Sequence, residues 1–435
     1  MRGYVVVDLG FGDAGKGLVT DALVRRTGAR LVVRYNGGAQ AGHNVVAPDG
    51  RHHTFAQVGA GSFVPGCATL LGPRVVTHPT ALLAELGVLA ARGVDVRDRL
   101  AVCADAPVVT PYHQALNRLR ELARGPARHG SCGVGIGETV AHGLAHPDER
   151  VVAGDLARPR VLADKLAAIR ARLGRAAAAL VEEASSSGAS APAEEHAYFL
   201  HDDLPAAWIA RAAPVARWVV PTDAARARIA GADAVVFEGA QGVLLDETWG
   251  FHPHTTWSTV TPAWARELAP DAAFTVYGVA RAFAVRHGAG PLPTEDPALP
   301  GAMTDHNAPN PWQGAVRAGH FDAVLLRYAL AALGGVDRLV LTHLDAVSRA
   351  GWRAAPAYTL DGARLDALPV ATTPTLAGQA TLGAALLRAA PLLDPPLPEA
   401  ALRDADAVRA RVAALLGRPV DAVSFGPRAA DVAGL

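Results

Sequence analysis

The chain has 435 residues, half of them hydrophobic, which is enough for a large core and excludes wholesale disorder. Lys plus Arg and Asp plus Glu number 41 each, so no net field draws the protein to nucleic acid or to a membrane surface. Three cysteines (Cys67, Cys103, Cys132) are too few for a disulfide framework, and no uncharged apolar run reaches about 18 residues, so the expectation is a cytoplasmic protein with no secretory leader and no membrane span.

Short apolar, β-branched runs recur along the chain: Tyr4 to Leu9, Leu31 to Tyr35, Leu100 to Ala104, Ala234 to Glu238, Phe274 to Ala280 and Leu339 to Leu344. Amphipathic stretches lie between them, among them Pro79 to Arg92, Tyr112 to Arg124 and Asp322 to Leu333. Continuously apolar strands alternating with helices predict an α/β fold with a large, mainly parallel central sheet covered by helices on both faces. Residues 175–195 drift into Ala, Ser and Pro and read as a helix end followed by a flexible surface loop at about 183–196. A Pro-rich connector covers 391–404. Neither stretch separates two cores, and the expectation is one domain over 1–435 with surface excursions.

The first strand runs straight into "GFGDAGKG", Gly10 to Gly17, and Gly10 to Lys16 fits the phosphate-loop spacing G-x-x-x-x-G-K. Backbone N–H groups at a helix N-terminus form an anion nest, glycines allow its positive φ angles, and Lys16 adds positive charge. The hydroxyl that ordinarily follows the lysine is missing, because Gly17 stands there, and a carboxylate, Asp13, sits inside the loop. A carboxylate facing phosphate is repelled unless a metal or a substrate proton compensates. Asp13 is therefore a candidate for metal binding, for general-base chemistry, or for both. A second stretch, "RYNGGAQAGHNVV" (34–46), sets a lone His43 in a glycine-rich loop after a strand. A third, "VVFEGAQGVLLDETWGFHPHTTW" (235–257), ends a buried strand in a glycine-bounded polar loop, where open α/β sheets place their ligands.

In that order these stretches resemble the adenylosuccinate synthetase family. "RHGAGPLPTE" (286–295), "LTHLDAV" (341–347) and "SFGP" (424–427) extend the resemblance over essentially the whole chain. It implies that the γ-phosphoryl group of GTP passes to a carbonyl oxygen of an acceptor, IMP in the family, and that an amine, aspartate, then displaces the phosphate. It assigns Gly12, Gly15, Lys16, Gly17, Gly42 and His43 to the nucleotide, with Asp345, Ser424, Gly426 and Pro427 around its guanine. Asp13 takes the acceptor's ring proton and, with the Gly42 carbonyl, holds Mg²⁺. His43 steadies the transferring phosphoryl group, Lys16 serves the same step, and Gln241 contacts the purine. Gln40, Ser131, Cys132, Thr256 and Arg317 complete the acceptor side, and the family implies a homodimer.

Departures from the family pattern fall on one side of the site. Its asparagine is Gln40 here, its phosphate-binding threonine is Cys132, and an arginine of its aspartate site is Val134. His146 stands where, in the family, an arginine crosses the dimer. Of an arginine-rich loop only Arg317 survives, with Gly314 and Val316 at other arginine positions, and His343 replaces a lysine. Losing a charge-assisted hydrogen bond costs about 1.5–3 kcal/mol, so losing several weakens a dianionic substrate by many powers of ten. Cys132 is not expected to be a nucleophile or metal ligand, having no C-x-x-C spacing or clustered histidines. The expectation is a GTP-dependent carbon–nitrogen ligase with a different acceptor and amine. The competing readings are adenylosuccinate synthetase itself with unchanged substrates, Arg281 or Arg286 compensating, a plain kinase, or a catalytically inactive nucleotide-binding regulator.

Overall fold

The computed structural model describes residues 1–186, 192–299, 311–347, 351–402 and 404–435. Among them, ten strands form one sheet. They are β1 (Arg2–Asp8), β2 (Leu31–Arg34), β3 (Ala68–Leu71), β4 (Leu100–Cys103), β5 (Val219–Val220), β6 (Ala234–Glu238), β7 (Ala273–Arg281), β8 (Arg338–Thr342), β9 (Ala422–Ser424) and β10 (Val432–Ala433). Their spatial order is β10-β9-β8-β7-β1-β6-β2-β3-β4-β5. Every pairing is parallel except that of β9 with the short edge strand β10.

β1 lies between β6 and β7, with Arg2 level with both Ala234 and Ala273. Val5, Val6 and Val7 are all fully buried because successive residues of a strand point to opposite faces and both faces are covered. Val6 joins Val19 and Leu23 of helix α1 (Lys16–Thr27), whereas Val5, Val7 and Leu9 join the helix Ala323–Ala332 in the main core. A second apolar cluster sits toward the β4 edge, where α2 (Pro79–Ala91), α3 (Pro111–Arg124) and α5 (Pro159–Ser186) bury Leu82, Leu116 and Leu162; α4 (Ile136–Ala145) lies between the last two in sequence.

The six strands and three helices expected from the sequence form within a residue or two of their expected bounds. The loop expected at 183–196 is corrected. α5 continues to Ser186 and a further helix, Pro192–Leu200, follows, while 187–191 lie outside the described residues. Alanine is the strongest helix former, and Ala177 and Ala184 are fully buried along α5, so the Ala-rich run extends the helix instead of ending it. The Pro-rich stretch begins in a strand, Ala390–Leu392, on the edge of a small antiparallel sheet, where Pro391 sits opposite Tyr358. An edge is where a residue without an N–H does least harm to a ladder. Among the described residues no helix is long and apolar enough to cross a membrane.

Candidate active site

β1 ends at Asp8, and the loop after it turns back on that side chain. Asp8 Oδ1 accepts from Gly10 N (2.8 Å), and Oδ2 accepts from Ala14 N (2.9 Å) and from Lys16 Nζ (2.8 Å). Both members of the Asp8–Lys16 ion pair are buried. The loop is thus built around a carboxylate that the sequence reading left inside the strand. Gly12, Asp13 and Gly15 take positive φ angles of 104°, 58° and 90°, and Gly15 caps α1 in the left-handed conformation. Asp13 pays for that conformation, since a side chain there costs about 1–2 kcal/mol.

The second and third loops close on the first. A Cβ on Gly242 would fall 2.1 Å from Gly10 O, and Gly10 O accepts from Leu244 N (3.1 Å). Asn36, just past β2, exchanges two hydrogen bonds with Ala240, donating to its O (3.1 Å) and accepting from its N (2.8 Å). Gln241 sits at φ 58°, and its Oε1 is buried with no hydrogen-bond partner, as is Gln40 Oε1. Two orphaned acceptors beside a phosphate loop are suited to a ligand that brings N–H donors.

His43 opens a hairpin (His43–Val46 with His52–Phe55) and packs on the first turn of α1. Its Nδ1 lies 2.5 Å from Glu238 Oε1 at the end of β6, while Glu238 Oε2 accepts from Ala60 N (2.9 Å). Burial pushes the His43 imidazole below its ordinary value against the pull of Glu238. Glu238, fully buried, fixes the ring through Nδ1 and leaves Nε2 for a ligand. A charged residue closing the apolar run "AVVFE" was the signal available for it.

Asp13 meets a residue 274 positions away in sequence: His287 Nε2 lies 2.6 Å from Asp13 Oδ2. Arg281 Nη1 donates to Asp13 O (3.0 Å). Burial would raise the Asp13 carboxyl, but the His287 hydrogen bond and the charges of His287, Arg281 and Lys16 hold it well below the usual carboxylate range. Burial lowers Arg281 to about 10.

On the other flank, Thr342 and His343, which precede Asp345 in the chain, lie beside the loop. A Cβ on Gly15 would be 3.5 Å from Thr342 Cγ2 and 3.6 Å from His343 Cε1. His343, at φ 60°, donates its backbone N–H to Ser424 Oγ (3.4 Å), and burial with Arg281 nearby holds its ring well below the ordinary value. Asp345 is exposed in the short helix Leu344–Val347. Gly426 packs against Asp431, and Pro427 is exposed.

The 130 loop, part of the acceptor-side set, lies against the segment that follows His287. Gly130 packs against Gly288 and Ala289, and Ser131 Oγ accepts from Asn117 Nδ2 (2.9 Å). The Cys132 thiol is pushed up by burial, which suits a packing role over a nucleophilic one. Thr256 donates its N–H to Leu245 O (2.8 Å), and His146 stands beside His142, ring centroids 5.2 Å apart. The surviving arginine is engaged: Arg317 bonds Glu295 through Nε (2.9 Å) and Nη2, and its Nη1 donates to Gly288 O (3.1 Å) and Gly290 O (2.9 Å). Arg286 is buried, with its guanidinium on the carbonyls of Ala289, Pro291 and His254.

Among the described residues no group of three or more His, Cys, Asp and Glu side chains is placed to hold a metal. Mg²⁺ that also binds substrate phosphates needs only one or two protein oxygens, and Asp13 with the Gly42 carbonyl is a hard-oxygen set of that kind.

A mainly parallel sheet covered on both faces, with a glycine-rich loop of phosphate-loop spacing at its carboxyl edge, is the arrangement of nucleotide-binding α/β proteins. The adenylosuccinate synthetase family model matches residues 5–433, and the chain belongs to that family, whose members are carbon–nitrogen ligases. It is 34% identical over 458 aligned residues to the adenylosuccinate synthetase of Photobacterium profundum, covering 97% of this chain and 96% of that one. It is 35% identical to that of Mycobacterium sp. (strain KMS), covering 85% and 83%. Among solved structures, fully ligated adenylosuccinate synthetase from Plasmodium falciparum superposes with a TM-score of 0.76 at 18% identity, covering 99% and 98%. Cyanophage S-2L succinoaminodeoxyadenylate synthetase (PurZ) superposes with a TM-score of 0.61 at 19% identity, covering 100% and 95%.

Proposed function

We propose that the protein uses GTP to phosphorylate a carbonyl oxygen of a small-molecule acceptor and lets an amine displace the phosphate, and that neither IMP nor aspartate is its preferred substrate. Asp13 takes the N–H proton beside that carbonyl, which turns a poor amide oxygen into a nucleophile. His43, fixed by Glu238, donates toward the transferring phosphoryl group, and the loop N–H groups hold the phosphates. Gln241 and Gln40 present their buried oxygens to donors on the acceptor. Mg²⁺ held by Asp13 and Gly42 would neutralise phosphate charge. We place the protein in the cytoplasm as a homodimer, by family likeness.

One observation carries the change of substrate: among the described residues, three arginines beside the 130 loop and Gly288 are already engaged. Arg317, Arg286 and Arg118 are bound to Glu295, to loop carbonyls, and to Gly133 O and Glu195 respectively. A phosphate monoester and two carboxylates need uncommitted donors. With GTP, Mg²⁺, IMP and aspartate, phosphate release is expected at a kcat/KM below about 10⁴ M⁻¹s⁻¹, the low end of the usual enzyme range. A value above that supports the alternative, adenylosuccinate synthetase proper, which the 34% identity to enzymes of that name favours. The cyanophage synthetase is described as bound to dGMP and to dATP as an energy donor, so both belong in the panel.

The nucleotide preference follows from Asp345, whose two oxygens accept from the adjacent N–H groups of guanine, a pair that adenine lacks. Turnover with GTP is expected to exceed that with ATP by on the order of tenfold, one charge-assisted bond's worth. Equal rates in the same assay would remove guanine selectivity from the proposal.

A further inference from the structure

We infer that His287 is a positioning residue for the reaction: it donates from Nε2 to Asp13 Oδ2 and steadies the carboxylate that takes the acceptor's proton. The inference rests on Asp13 acting as the base. The donor is the imidazole because an ionised carboxylate has no proton to give.

The backbone of Asp13 is fixed by its left-handed turn and by Arg281 on its carbonyl. His287 acts on the carboxylate itself, from a place that is fixed from both sides. It ends the strand Ala284–His287, which pairs antiparallel with Val316–Gly319 so that His287 faces Val316. Before it stands Arg286, held by three carbonyls; after it stands Gly288 at φ 72°, so close to the 130 loop that a Cβ would lie 2.9 Å from Gly130 O. A ring on so constrained a backbone is a firm hydrogen-bond donor.

The pair is also open to a ligand. Both side chains are 27% exposed, unlike the His43–Glu238 pair at 5% and 0%. During transfer the acceptor's N–H proton passes to the Asp13 carboxylate, and the N–H electron pair flows into the ring as the carbonyl oxygen bonds to the γ-phosphorus. The bond from that phosphorus to the bridging oxygen breaks toward GDP. His287 keeps its own proton throughout.

The test compares His287→Ala and His287→Gln with the wild-type protein. Positional isotope exchange in ¹⁸O-labelled GTP, with Mg²⁺ and IMP or GMP as probe and no amine, reads phosphoryl transfer alone and accumulates even when net turnover is slow. His287→Ala is expected to slow exchange about tenfold or more with the KM for GTP within about twofold, the size of one hydrogen bond to a charged group. His287→Gln, which keeps an Nε2–H donor, is expected to recover most of the rate. Exchange in His287→Ala within about threefold of wild type, a glutamine variant as impaired as the alanine one, or a loss confined to the KM for GTP would each overturn the inference. If neither probe exchanges with the wild-type protein, the result agrees with an acceptor other than a nucleoside monophosphate, and the inference is decided on the hydrogen bond itself. The hydrogen bond is then read directly in protein labelled with ¹⁵N-histidine: a downfield Nε2–H proton lost in Asp13→Ala supports the positioning role, and its absence from the wild-type spectrum refutes it.

Discussion

Asp13→Ala is expected to lower phosphoryl-transfer turnover by about 10²–10⁴-fold, the usual contribution of a positioned general base, while GTP still binds. Binding survives because the cradle does not depend on this side chain. Asp8 ties Gly10 N, Ala14 N and Lys16 Nζ together, and Gly12 and Gly15 carry the left-handed turns. Alanine at φ 58° is itself strained, so Asp13→Asn belongs beside it: asparagine tolerates that conformation, keeps the shape, and cannot take a proton. Both variants should lose turnover together, with GTP affinity measured calorimetrically. Either one retaining more than about a tenth of wild-type turnover would remove Asp13 from the role of base.

The sheet was legible because its long strands are buried on both faces and read as unbroken apolar runs; "YVVVDL" and "AVVFE" admit few other placements. Of the strands that went unread, Val219–Val220, Ala422–Ser424 and Val432–Ala433 have two or three residues, too few for a pattern to show, and Ala68–Leu71 breaks its apolar run with a small and a polar residue. In the candidate site, Asp13, Lys16, His43 and Gln241 were legible because each stands in or directly after a loop whose glycines mark close backbone approach. Their partners were not. Asp8 and Glu238 look like strand ends, and the His287–Asp13 contact joins residues 274 apart through sheet topology that no local pattern encodes. Lys16 shows the same limit: the sequence offers a free cation for phosphate, whereas the fold pairs it with Asp8 at 2.8 Å.

The missing hydroxyl after Lys16 has a steric cause that leads to a second large effect. Gly17 lies in the first turn of α1, directly under the His43 hairpin. A Cβ there would fall 2.9 Å from Asn44 O, 2.9 Å from His43 Cβ and 3.0 Å from the His43 carbonyl carbon. Two of these atoms are backbone, which cannot swing aside as a side-chain tip can. Gly17→Ser, which restores the hydroxyl of an ordinary phosphate loop, is therefore expected to push His43 off Glu238 and to lower turnover about 10²-fold, the scale of losing one oriented transition-state donor. Overpacking of this kind costs about 1–3 kcal/mol, so the melting temperature should fall by only a few degrees while the fold persists. Turnover of Gly17→Ser within about threefold of wild type would mean that the hairpin yields harmlessly, and the close contact would no longer explain the glycine. Under the steric account, the first turn of α1 gave up its hydroxyl so that the histidine strand could lie against it, and the proposed oxygen ligand for a cation is Asp13 in its place.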